Sequence, residues 1–407
     1  MFLQRIKGHH SGHPKRVKPA SKELLEEYLS QTSPDQADGA IYFHVPFCDN
    51  ICSFCSMNRT KLDDEIDEYA NYLISQIEHY AKFEYIKQKE FSSVYFGGGT
   101  PTTLKERHLE RIITAINQNF KLTKNVEFSF ESTLHNLSIS KLRLMQNLGV
   151  NRFSIGIQTL SDRGRKILNR INDGIKASEH LAKLRSEFSG ILCADIIYNY
   201  PEQSIHECQK DAEILKQIGV DSVSFYSLQF LDGSEFCKNY DTNYYKLEQD
   251  IILHHTFLES MIDDNHYLLE LTKIAKKDRD SYHYIAMTHK GADILPIGIG
   301  AGGAIGKYGV FNYKKEQQMI GILADEEIEY KKFIALFQYQ NVSFDDIKKY
   351  NLGEKTISTL NDFFKKCEEN SLLSFNKNGY TLTRDGIFWG NNIATEVGKI
   401  AQKEFYK

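Results

Sequence analysis

Three cysteines close together, Cys48, Cys52 and Cys55, are the residues whose types and spacing most directly indicate chemistry in this chain of 407 residues. Thiolates with this spacing can bind three irons of a [4Fe–4S] cube. No fourth cysteine follows nearby in the sequence, so one iron would keep an open coordination site. An electron-transfer cluster is normally held by four cysteines, whereas an open site predicts a cluster that binds a small molecule and reacts with it.

Two other interpretations of these cysteines stay open at this point. A zinc site normally combines two short cysteine arms with further Cys or His ligands, and the nearest such residue, His44, lies on a predicted strand. Buried cysteines without a ligand are the other alternative. The remaining cysteines are scattered, and the odd total of seven argues against a disulfide framework.

Two glycine-rich segments are candidates for binding a charged group. Gly97, Gly98 and Gly99 follow a predicted strand and precede Thr100. Consecutive glycines let backbone amides approach an anionic or zwitterionic ligand, because no Cβ intervenes. A tight turn is the alternative, and for the second segment, residues 298–303, an ordinary loop is the alternative.

Three polar side chains lie in or at the ends of successive apolar strands, namely Glu131, Gln158 and Asp195. A buried polar group is destabilising unless it is paired, so one such residue per strand at a similar level predicts a shared ligand. Salt bridges among these residues are the alternative. We expect Arg170, on the helix predicted after Gln158, either to pair with Glu131 or to bind a ligand carboxylate.

The composition argues against several functional classes. A net charge of −4 with 26% charged residues gives no overall cationic field for nucleic acid or acidic lipid. The sequence has no apolar leader and no run of about 18 apolar residues, so we expect a cytoplasmic protein without a membrane span. With 41% hydrophobic residues, the chain can bury a substantial core in two or three folding units.

Short apolar runs alternate with longer amphipathic stretches from residue 40 to about 230, which predicts repeated βα units and a parallel sheet. Six such units make an open (β/α)6 barrel, with ligands expected at the carboxyl ends of its strands. The predicted strands are 41–45, 92–97, 126–131, 152–157, 192–198 and 222–227. The predicted helices are 62–84, 104–119, 139–148, 161–186 and 204–218.

The sequence outside the barrel divides into three parts. Residues 1–39 are basic and rich in His, and we expect an arm that wraps the barrel or lies disordered. Residues 231–324 are expected to be a barrel extension with further helical material. Residues 325–407 predict a small winged-helix-like α+β domain, with Asn378-Gly379 as a hairpin turn. Because it has no basic stripe, we interpret it as a lid or packing domain rather than a DNA-binding domain.

Together these motifs resemble the radical S-adenosylmethionine (SAM) enzymes of the oxygen-independent coproporphyrinogen III oxidase superfamily. The similarity extends over residues 40–310 and to the C-terminus, where residues 379–386 and 390–393 resemble the C-terminal domain of that superfamily. It implies an α/β fold of radical SAM type, an open (β/α)6 partial TIM barrel. It also implies a [4Fe–4S] cluster held by Cys48, Cys52 and Cys55, with SAM bound at the open iron through its amino and carboxylate groups.

Further site residues follow from the same resemblance, which implies two SAM molecules. The residues that match positions around the first SAM are Tyr42, Gly98, Glu131, Gln158, Arg170 and Asp195. Those that match contacts of the second are Phe54, Gly99, Thr100, Gln229, Gly300, Ala301, Gly302 and Gly303.

Departures from the family pattern narrow the expected reaction. Decarboxylating porphyrinogen oxidases continue the cysteine motif as Cys-x-Cys, where this chain has Met57, and the Tyr-Pro-Thr signature of their N-terminal arm is absent. Haem-chaperone relatives have an Asp-Phe pair after the third cysteine, where this chain has Ser56 and Met57. What remains is similar to the anaerobic branch of the superfamily, the radical SAM methyltransferases that open the haem macrocycle and release iron. The porphyrinogen dehydrogenase and the haem chaperone stay as alternatives.

This resemblance implies haem or a related tetrapyrrole as substrate and a flavodoxin- or ferredoxin-type electron donor. His9, His10 and His13 of the arm are candidates for binding haem iron or its propionates, with a solvated basic arm as the alternative. His44 and His289 are further candidates for the same role.

Overall fold

The N-terminal arm is tied to the rest of the protein wherever it is described. A computed structural model describes residues 1–6, 17–31, 39–56, 60–61 and 65–406. Strand β1 (Val17–Ala20) pairs antiparallel with residues 320–323, and helix α1 (Lys22–Leu29) follows it. Arg5 forms an ion pair with the buried Asp250 at 3.0 Å. These contacts favour an arm that wraps the barrel, and His9, His10, His13 and Met57 lie outside the described residues.

Six parallel strands form the centre of the main sheet and confirm the six predicted strands. They lie in the order β2-β5-β6-β7-β8-β9, while β3 and β4 form a separate short pair next to residues 48–55, which carry the three cysteines and which we call the cysteine loop. The strands of this region are β2 (Gly39–Val45), β3 (Phe47–Cys48), β4 (Thr60–Lys61), β5 (Phe91–Gly98), β6 (Leu122–Thr133), β7 (Arg152–Gln158), β8 (Ile191–Tyr198) and β9 (Ser222–Ser227).

Helices follow these strands and cover the outer face of the sheet, as the amphipathic pattern predicts. On β2, for example, Ile41, Phe43 and Val45 point into the main hydrophobic core, while Tyr42 faces the other way. Phe43 stacks on Phe96 of the next strand, with the ring centroids 4.3 Å apart. The helices are α2 (Ile66–Tyr80), α3 (Glu84–Gln88), α4 (Glu106–Asn119), α5 (Ile139–Asn147), α6 (Asp162–Ile167), α7 (Gly174–Glu187) and α8 (Ile205–Ile218).

Two of the predicted helices are wrong in extent, because each is interrupted. The helix predicted at 62–84 ends at Tyr80, and α3 is a separate helix. The helix predicted at 161–186 is divided into α6 and α7 by a turn in which Asn169 and Asn172 have positive φ. Left-handed backbone ends a helix, and here the turn carries Arg170 towards the cysteine loop.

The segment after β9 contains strands that the prediction of further helical material did not include. Helices α9 (Glu235–Asn239), α10 (Leu247–Met261) and α11 (His283–His289) are present, but strands extend the sheet at both edges, to thirteen strands among the described residues. The strands are β10 (His266–Glu270), β11 (Lys273–Lys276), β12 (Asp293–Ile297), β13 (Gly302–Ile305), β14 (Tyr308–Lys314) and β15 (Gln317–Leu323). Strand β12 pairs parallel with β2, and β13, β14 and β15 continue antiparallel beyond it.

The C-terminal part contains helices around a small three-stranded sheet, in the order β16-β18-β17. Its hairpin turn is Lys377-Asn378 rather than the predicted Asn378-Gly379, since Gly379 pairs with Asn376. A Cβ on Gly379 would lie 2.0 Å from the carbonyl oxygen of Val342, so close approach of β16 requires this glycine. The elements are α12 (Asp325–Ala335), β16 (Asn341–Ser343), α13 (Phe344–Lys348), α14 (Glu354–Glu369), β17 (Leu373–Asn376), β18 (Gly379–Leu382), α15 (Arg384–Phe388) and α16 (Gly390–Phe405).

Candidate active site

A cavity of about 310 Å³ opens at the carboxyl ends of the parallel strands. The three polar residues predicted to share a ligand, Glu131, Gln158 and Asp195, all line it. Phe54 of the cysteine loop and Gln229, which follows β9, line it too. The structure therefore brings five of the expected cofactor-binding residues to one space, as the convergence of parallel strand ends requires.

Glu131 is partly buried, and two donors hold its carboxyl group. Tyr95 Oη donates to Glu131 Oε1 at 2.8 Å, and the backbone amide of Gly98 donates to Oε2 at 3.3 Å. Burial, opposed by the hydrogen bond from Tyr95, raises the pKa of Glu131 to about 7. Arg170 and Glu131 form no ion pair within the described ranges, since Arg170 donates to Cys52 and Gly156 instead. Of the two alternatives for Arg170, pairing with Glu131 is therefore not observed.

Asp195 and Gln158 complete the polar wall. Ser154 Oγ donates to both carboxylate oxygens of Asp195, at 3.2 and 3.1 Å. Gln158 ends β7 with φ at 70°, a left-handed conformation that non-glycine residues rarely adopt. Such backbone persists where surrounding structure fixes it and is common at functional sites, so Gln158 is held in place at the mouth of the cavity.

The cysteine loop lies beside this cavity and is tied to the break between α6 and α7. Ser53 Oγ donates to the carbonyl oxygen of Ile167 at 2.7 Å, and Phe236 N donates to the carbonyl oxygen of Ser53 at 2.7 Å. Arg170 donates through one nitrogen to Cys52 Sγ at 2.7 Å and through another to the carbonyl oxygen of Gly156. Arg170 thus connects the loop to the end of β7.

The cysteine side chains themselves provide the donor set that a cluster needs. Cys48 is buried, whereas Cys52 and Cys55 are partly exposed. Across the described ranges, no group of three or more His, Cys, Asp or Glu side chains is arranged to hold a metal ion. Two observations nevertheless fit an iron–sulfur cluster at this loop: a guanidinium already donates to one sulfur, and the buried Nε of Arg170 has no hydrogen-bond partner among the described residues.

The first glycine run lies directly between the cysteine loop and Glu131. A Cβ on Gly99 would lie 2.5 Å from the carbonyl oxygen of Phe47 and 3.0 Å from Cys48 Sγ. A Cβ on Gly97 would lie 3.1 Å from Tyr42 Oη and 3.2 Å from Glu131 Cδ. Close packing therefore requires glycine at these positions, and the backbone of this run is brought up to the sulfur and to the carboxyl group.

Thr100 continues this run and fastens it to the loop. Its amide donates to the carbonyl oxygen of Phe47 at 2.8 Å, and its Oγ1 lies 3.5 Å from Cys48 Sγ. The hydroxyl group is therefore close to the first cysteine, on the side of the loop that faces β5.

His44 is enclosed by both glycine-rich segments. The positive-φ residues Gly98 and Gly300 would each place a Cβ 2.8 Å from the His44 ring. His44 is 6% exposed, its Nδ1 lies 3.1 Å from Tyr42 Oη, and its Nε2 has no partner among the described residues. Burial lowers the pKa of His44 to about 4, so the ring is neutral at pH 7.

The second glycine-rich segment is only partly the loop that the sequence indicated. Residues 298–301 form a turn, but Gly302 and Gly303 belong to β13. Ala301 is buried and its carbonyl oxygen accepts from Asn312 N at 2.9 Å. This segment lies beside His44 rather than among the residues that line the cavity. His289 lies on α11, where its Nδ1 is 2.9 Å from Tyr339 Oη, and it does not line the cavity either.

Several residues that line the cavity were not identified from the sequence. Tyr95 and Ser154 each lie on the same strand and the same face as a residue that was identified. The two-residue period of a strand would therefore have identified them as well. Tyr282 comes from the segment before α11, for which no strand-end argument exists. The further lining residues are Ile197, Ser224, Tyr226, Ser227, Leu228 and Leu231.

Comparison with known proteins now identifies the domain. Residues 42–224 match the family model of the radical SAM superfamily, a range that runs from β2 to β9 and includes the cysteine loop. This part of the chain is a radical SAM domain. The radical SAM domain implies a [4Fe–4S] cluster and SAM, and the three cysteines of the loop supply a donor set that fits the cluster.

Three curated relatives show that the chain is homologous to the coproporphyrinogen III oxidase superfamily. Anaerobilin synthase of Escherichia coli O157:H7 is 26% identical over 94% of this chain and 90% of that protein. Heme chaperone HemW of Bacillus subtilis is 25% identical over 86% of this chain and 97% of that protein. Oxygen-independent coproporphyrinogen III oxidase of Paracoccus denitrificans is 28% identical over 47% of this chain and 43% of that protein.

The fold is confirmed by a solved structure. Coproporphyrinogen III oxidase (HemN) from Escherichia coli matches with a TM-score of 0.78 and 18% identity, over 93% of this chain and 94% of that one. The expected α/β fold of radical SAM type is therefore correct. In the part of the chain that the structure describes, no helix is long and apolar enough to cross a membrane.

Proposed function

We propose that this chain is a radical SAM methyltransferase that methylates and opens the haem macrocycle without oxygen and releases its iron. The observation that carries the proposal is the similarity to the anaerobilin synthase, which extends over 94% of this chain and 90% of that protein. Met57 also supports it, because the decarboxylating oxidases have a cysteine at this position, two residues after Cys55.

The residues around the cavity are suited to holding SAM beside the cluster. The cluster would be held by Cys48, Cys52 and Cys55, and together with SAM it would supply a 5′-deoxyadenosyl radical. Glu131, once deprotonated, would accept from the amino group of SAM, and Arg170 would bind its carboxylate. We assign the second SAM to the side of the cavity lined by Phe54 and Gln229.

Two tyrosines of the cavity wall are neutral hydrogen-bond donors. Tyr95 and Tyr282 line the cavity, and burial keeps the pKa of each well above its usual range, so both hydroxyls stay protonated. They donate hydrogen bonds without introducing charge. We expect a flavodoxin- or ferredoxin-type donor to supply electrons and haem to enter from above the cavity.

Anaerobic incubation of the reconstituted protein with haem, SAM and a reductant tests this function. We expect the Soret band to disappear while iron is released and a methylated open-chain tetrapyrrole appears in the mass spectrum. A Soret band that persists while SAM is consumed would contradict the proposal. The matched control is the same mixture without SAM, in which the band should remain.

A haem chaperone is the second candidate, favoured by the similarity to HemW over 97% of that protein. A chaperone would bind haem stably and transfer it intact, so haem would be recovered unchanged in an acceptor protein. A porphyrinogen dehydrogenase would instead release carbon dioxide from coproporphyrinogen III. Mass analysis of the products of an incubation with coproporphyrinogen III distinguishes this loss of carbon dioxide from methyl transfer.

A further inference from the structure

Arg165 is a buried guanidinium group at the break between α6 and α7. The residue is 3% exposed, and its side chain forms no ion pair with a carboxylate in the part of the chain that the structure describes. Burial, together with the neighbouring charge of Arg170, lowers the pKa of Arg165 to about 10, so the group is still charged at pH 7. Its hydrogen bonds must therefore replace those that it would make to water.

The guanidinium group of Arg165 connects two parts of the backbone. On one side, Nη1 donates to the carbonyl oxygens of Ile157 at 3.2 Å and Thr159 at 2.8 Å, at the end of β7. On the other side, Nε donates to the carbonyl oxygen of Asn172 at 2.9 Å, and Nη2 donates to that of Ile171. One side chain thus fixes the position of the break relative to the last residues of β7.

The part of the break that Arg165 holds is the turn that carries Arg170. Asn169 and Asn172, on either side of it, have φ of 52° and 69°, so the carbonyl oxygens of this turn cannot all accept the bonds of a continuous helix. Arg165 supplies donors to two of them. In addition, Arg170 N donates to the carbonyl oxygen of Arg165 at 2.7 Å. The backbone position of Arg170 therefore depends on Arg165.

The same turn also contacts the cysteine loop. Asn169 Nδ2 donates to the carbonyl oxygen of Ile51 at 2.7 Å, and Asn50 Nδ2 donates to the carbonyl oxygen of Asn169 at 2.8 Å. Arg165, Arg170 and Asn50 line one small cavity of about 20 Å³. A displacement of the turn would therefore move Arg170 relative to the cysteine loop as well as relative to β7.

We propose that Arg165 is a positioning residue for SAM binding. It holds the turn of residues 169–172 against the end of β7, so that Arg170 can reach both Cys52 and the carboxylate of the ligand. Arg165 does not line the large cavity at the strand ends, and it acts through Arg170 alone. This inference rests on the proposed function, in which Arg170 binds the carboxylate of SAM.

A double-mutant cycle on SAM affinity tests the inference, with equilibrium binding to the reconstituted protein under anaerobic conditions. Arg165→Lys keeps the charge, but a single ammonium group cannot bridge four carbonyl oxygens in the same way. We expect this variant to bind SAM about tenfold more weakly. Combined with Arg170→Lys, it should weaken binding little further than Arg170→Lys alone, because both changes remove the same contact. A loss of general stability would not produce this non-additivity.

Arg163→Lys is the matched control. Arg163 lies two residues earlier on α6, is partly exposed and pairs with Glu207 at 2.6 Å, so its replacement should leave SAM affinity unchanged. Denaturant unfolding checks that each variant is folded. If Arg165→Lys does not fold, Arg165→Gln takes its place in the cycle, since its neutral amide leaves no uncompensated charge in the interior. The same loss of affinity and the same non-additivity are expected.

The outcomes separate this inference from the function on which it rests. If the unmodified protein binds no SAM, the proposed function fails and the inference with it. If the unmodified protein binds SAM and a folded Arg165 variant binds it equally well, the positioning role alone is wrong. If the double variant loses the product of the two single effects, about a hundredfold, Arg165 acts independently of Arg170 and the inference is overturned.

Discussion

The cysteine loop and the strand ends lie side by side at one edge of the sheet, but they are built differently. Glu131 pairs in register with Ser154, and Asp195 pairs with Gly156, so the sheet itself fixes the polar wall. The cysteine loop is held outside the main sheet, by the short β3–β4 pair and by side-chain hydrogen bonds of Ser53 and Arg170, and two of its three cysteines are partly exposed.

This difference indicates which part of the site is organised before any cofactor binds. Strand ends are positioned by the hydrogen bonds of the sheet and by the core beneath them. Metal ligands on a loop are commonly brought to their final geometry by the metal, because binding free energy contributes to folding. We therefore expect the polar wall to be preformed and the cysteine loop to be completed by the cluster.

Removal of one cysteine gives the largest expected effect. Cys52→Ala should abolish the broad visible absorption of the reconstituted cluster and all SAM cleavage, because the cluster loses one of its three protein ligands. Absorption spectroscopy and iron analysis measure this. Cys237→Ala is the matched control, since Cys237 is also partly exposed but lies on α9, and it should keep both properties. A fully loaded Cys52→Ala protein would refute the ligand set.

Removal of the Glu131 carboxyl group should weaken the binding of SAM but should not remove iron. Glu131→Ala should weaken SAM binding roughly tenfold to a hundredfold, as expected for the loss of a charged hydrogen-bond acceptor. Equilibrium binding to the reconstituted protein measures the affinity, and iron analysis checks the cluster. If iron is lost as well, Glu131 has a structural role and the two regions are not independent.

Because the pKa of Glu131 is raised, the stability of the protein without cofactor should depend on pH. The folded protein retains a proton on this group up to about pH 7, whereas the unfolded chain loses it near 4.5. The contribution of Glu131 to stability is therefore present at low pH and is lost as the pH rises through this window. The loss is on the order of 3 kcal/mol.

Denaturant unfolding of the protein without cluster, across this pH range, measures the effect. Glu131→Gln should remove the part of the fall in unfolding free energy that Glu131 causes. The part caused by Asp211 should remain, because burial raises the pKa of that residue to about 7 as well. An identical pH profile in the variant would show that the site is open to water, contrary to a preformed wall.

Arg170 lies between the two regions, so its substitution tests how strongly they are connected. Arg170→Lys keeps the charge but loses the planar fork that joins Cys52 to Gly156. We expect SAM affinity to fall about tenfold with cluster content retained. Arg143→Lys, at an exposed ion pair with Glu187, is the control and should change neither quantity. A loss of iron in Arg170→Lys would show that the cysteine loop depends on the sheet for its geometry.

The sequence predicted these two regions unequally well. The six strands and the positions of Glu131, Gln158 and Asp195 follow from alternation and strand order, which are local properties of the chain. The strands β12 to β15 depend on distant contacts. The break that positions Arg170 instead carries local signals, namely Asn169 and Asn172 at positive φ and Asp173 as the N-cap of α7, which the helical periodicity concealed. A proline, Pro296 on β12, and the glycines within β13, β14 and β15 hide those strands from any propensity argument. The cavity residue Tyr282 was missed because it, too, reaches the site only through the folding of a distant segment.

A pair of glycine variants gives the smallest expected effect. Gly300 and Gly149 both have positive φ, at 95° and 104°, so alanine at either position should destabilise the fold by about 1 kcal/mol. A Cβ on Gly300 would also lie 2.8 Å from the His44 ring, whereas one on Gly149 would meet nothing within 4 Å. Gly300→Ala should therefore lower stability further and weaken SAM binding, while Gly149→Ala should leave SAM binding unchanged. Denaturant unfolding and SAM titration measure the two quantities. Equal behaviour of the variants would show that the ring of His44 moves freely, so that the turn at Gly300 would not help to position the wall.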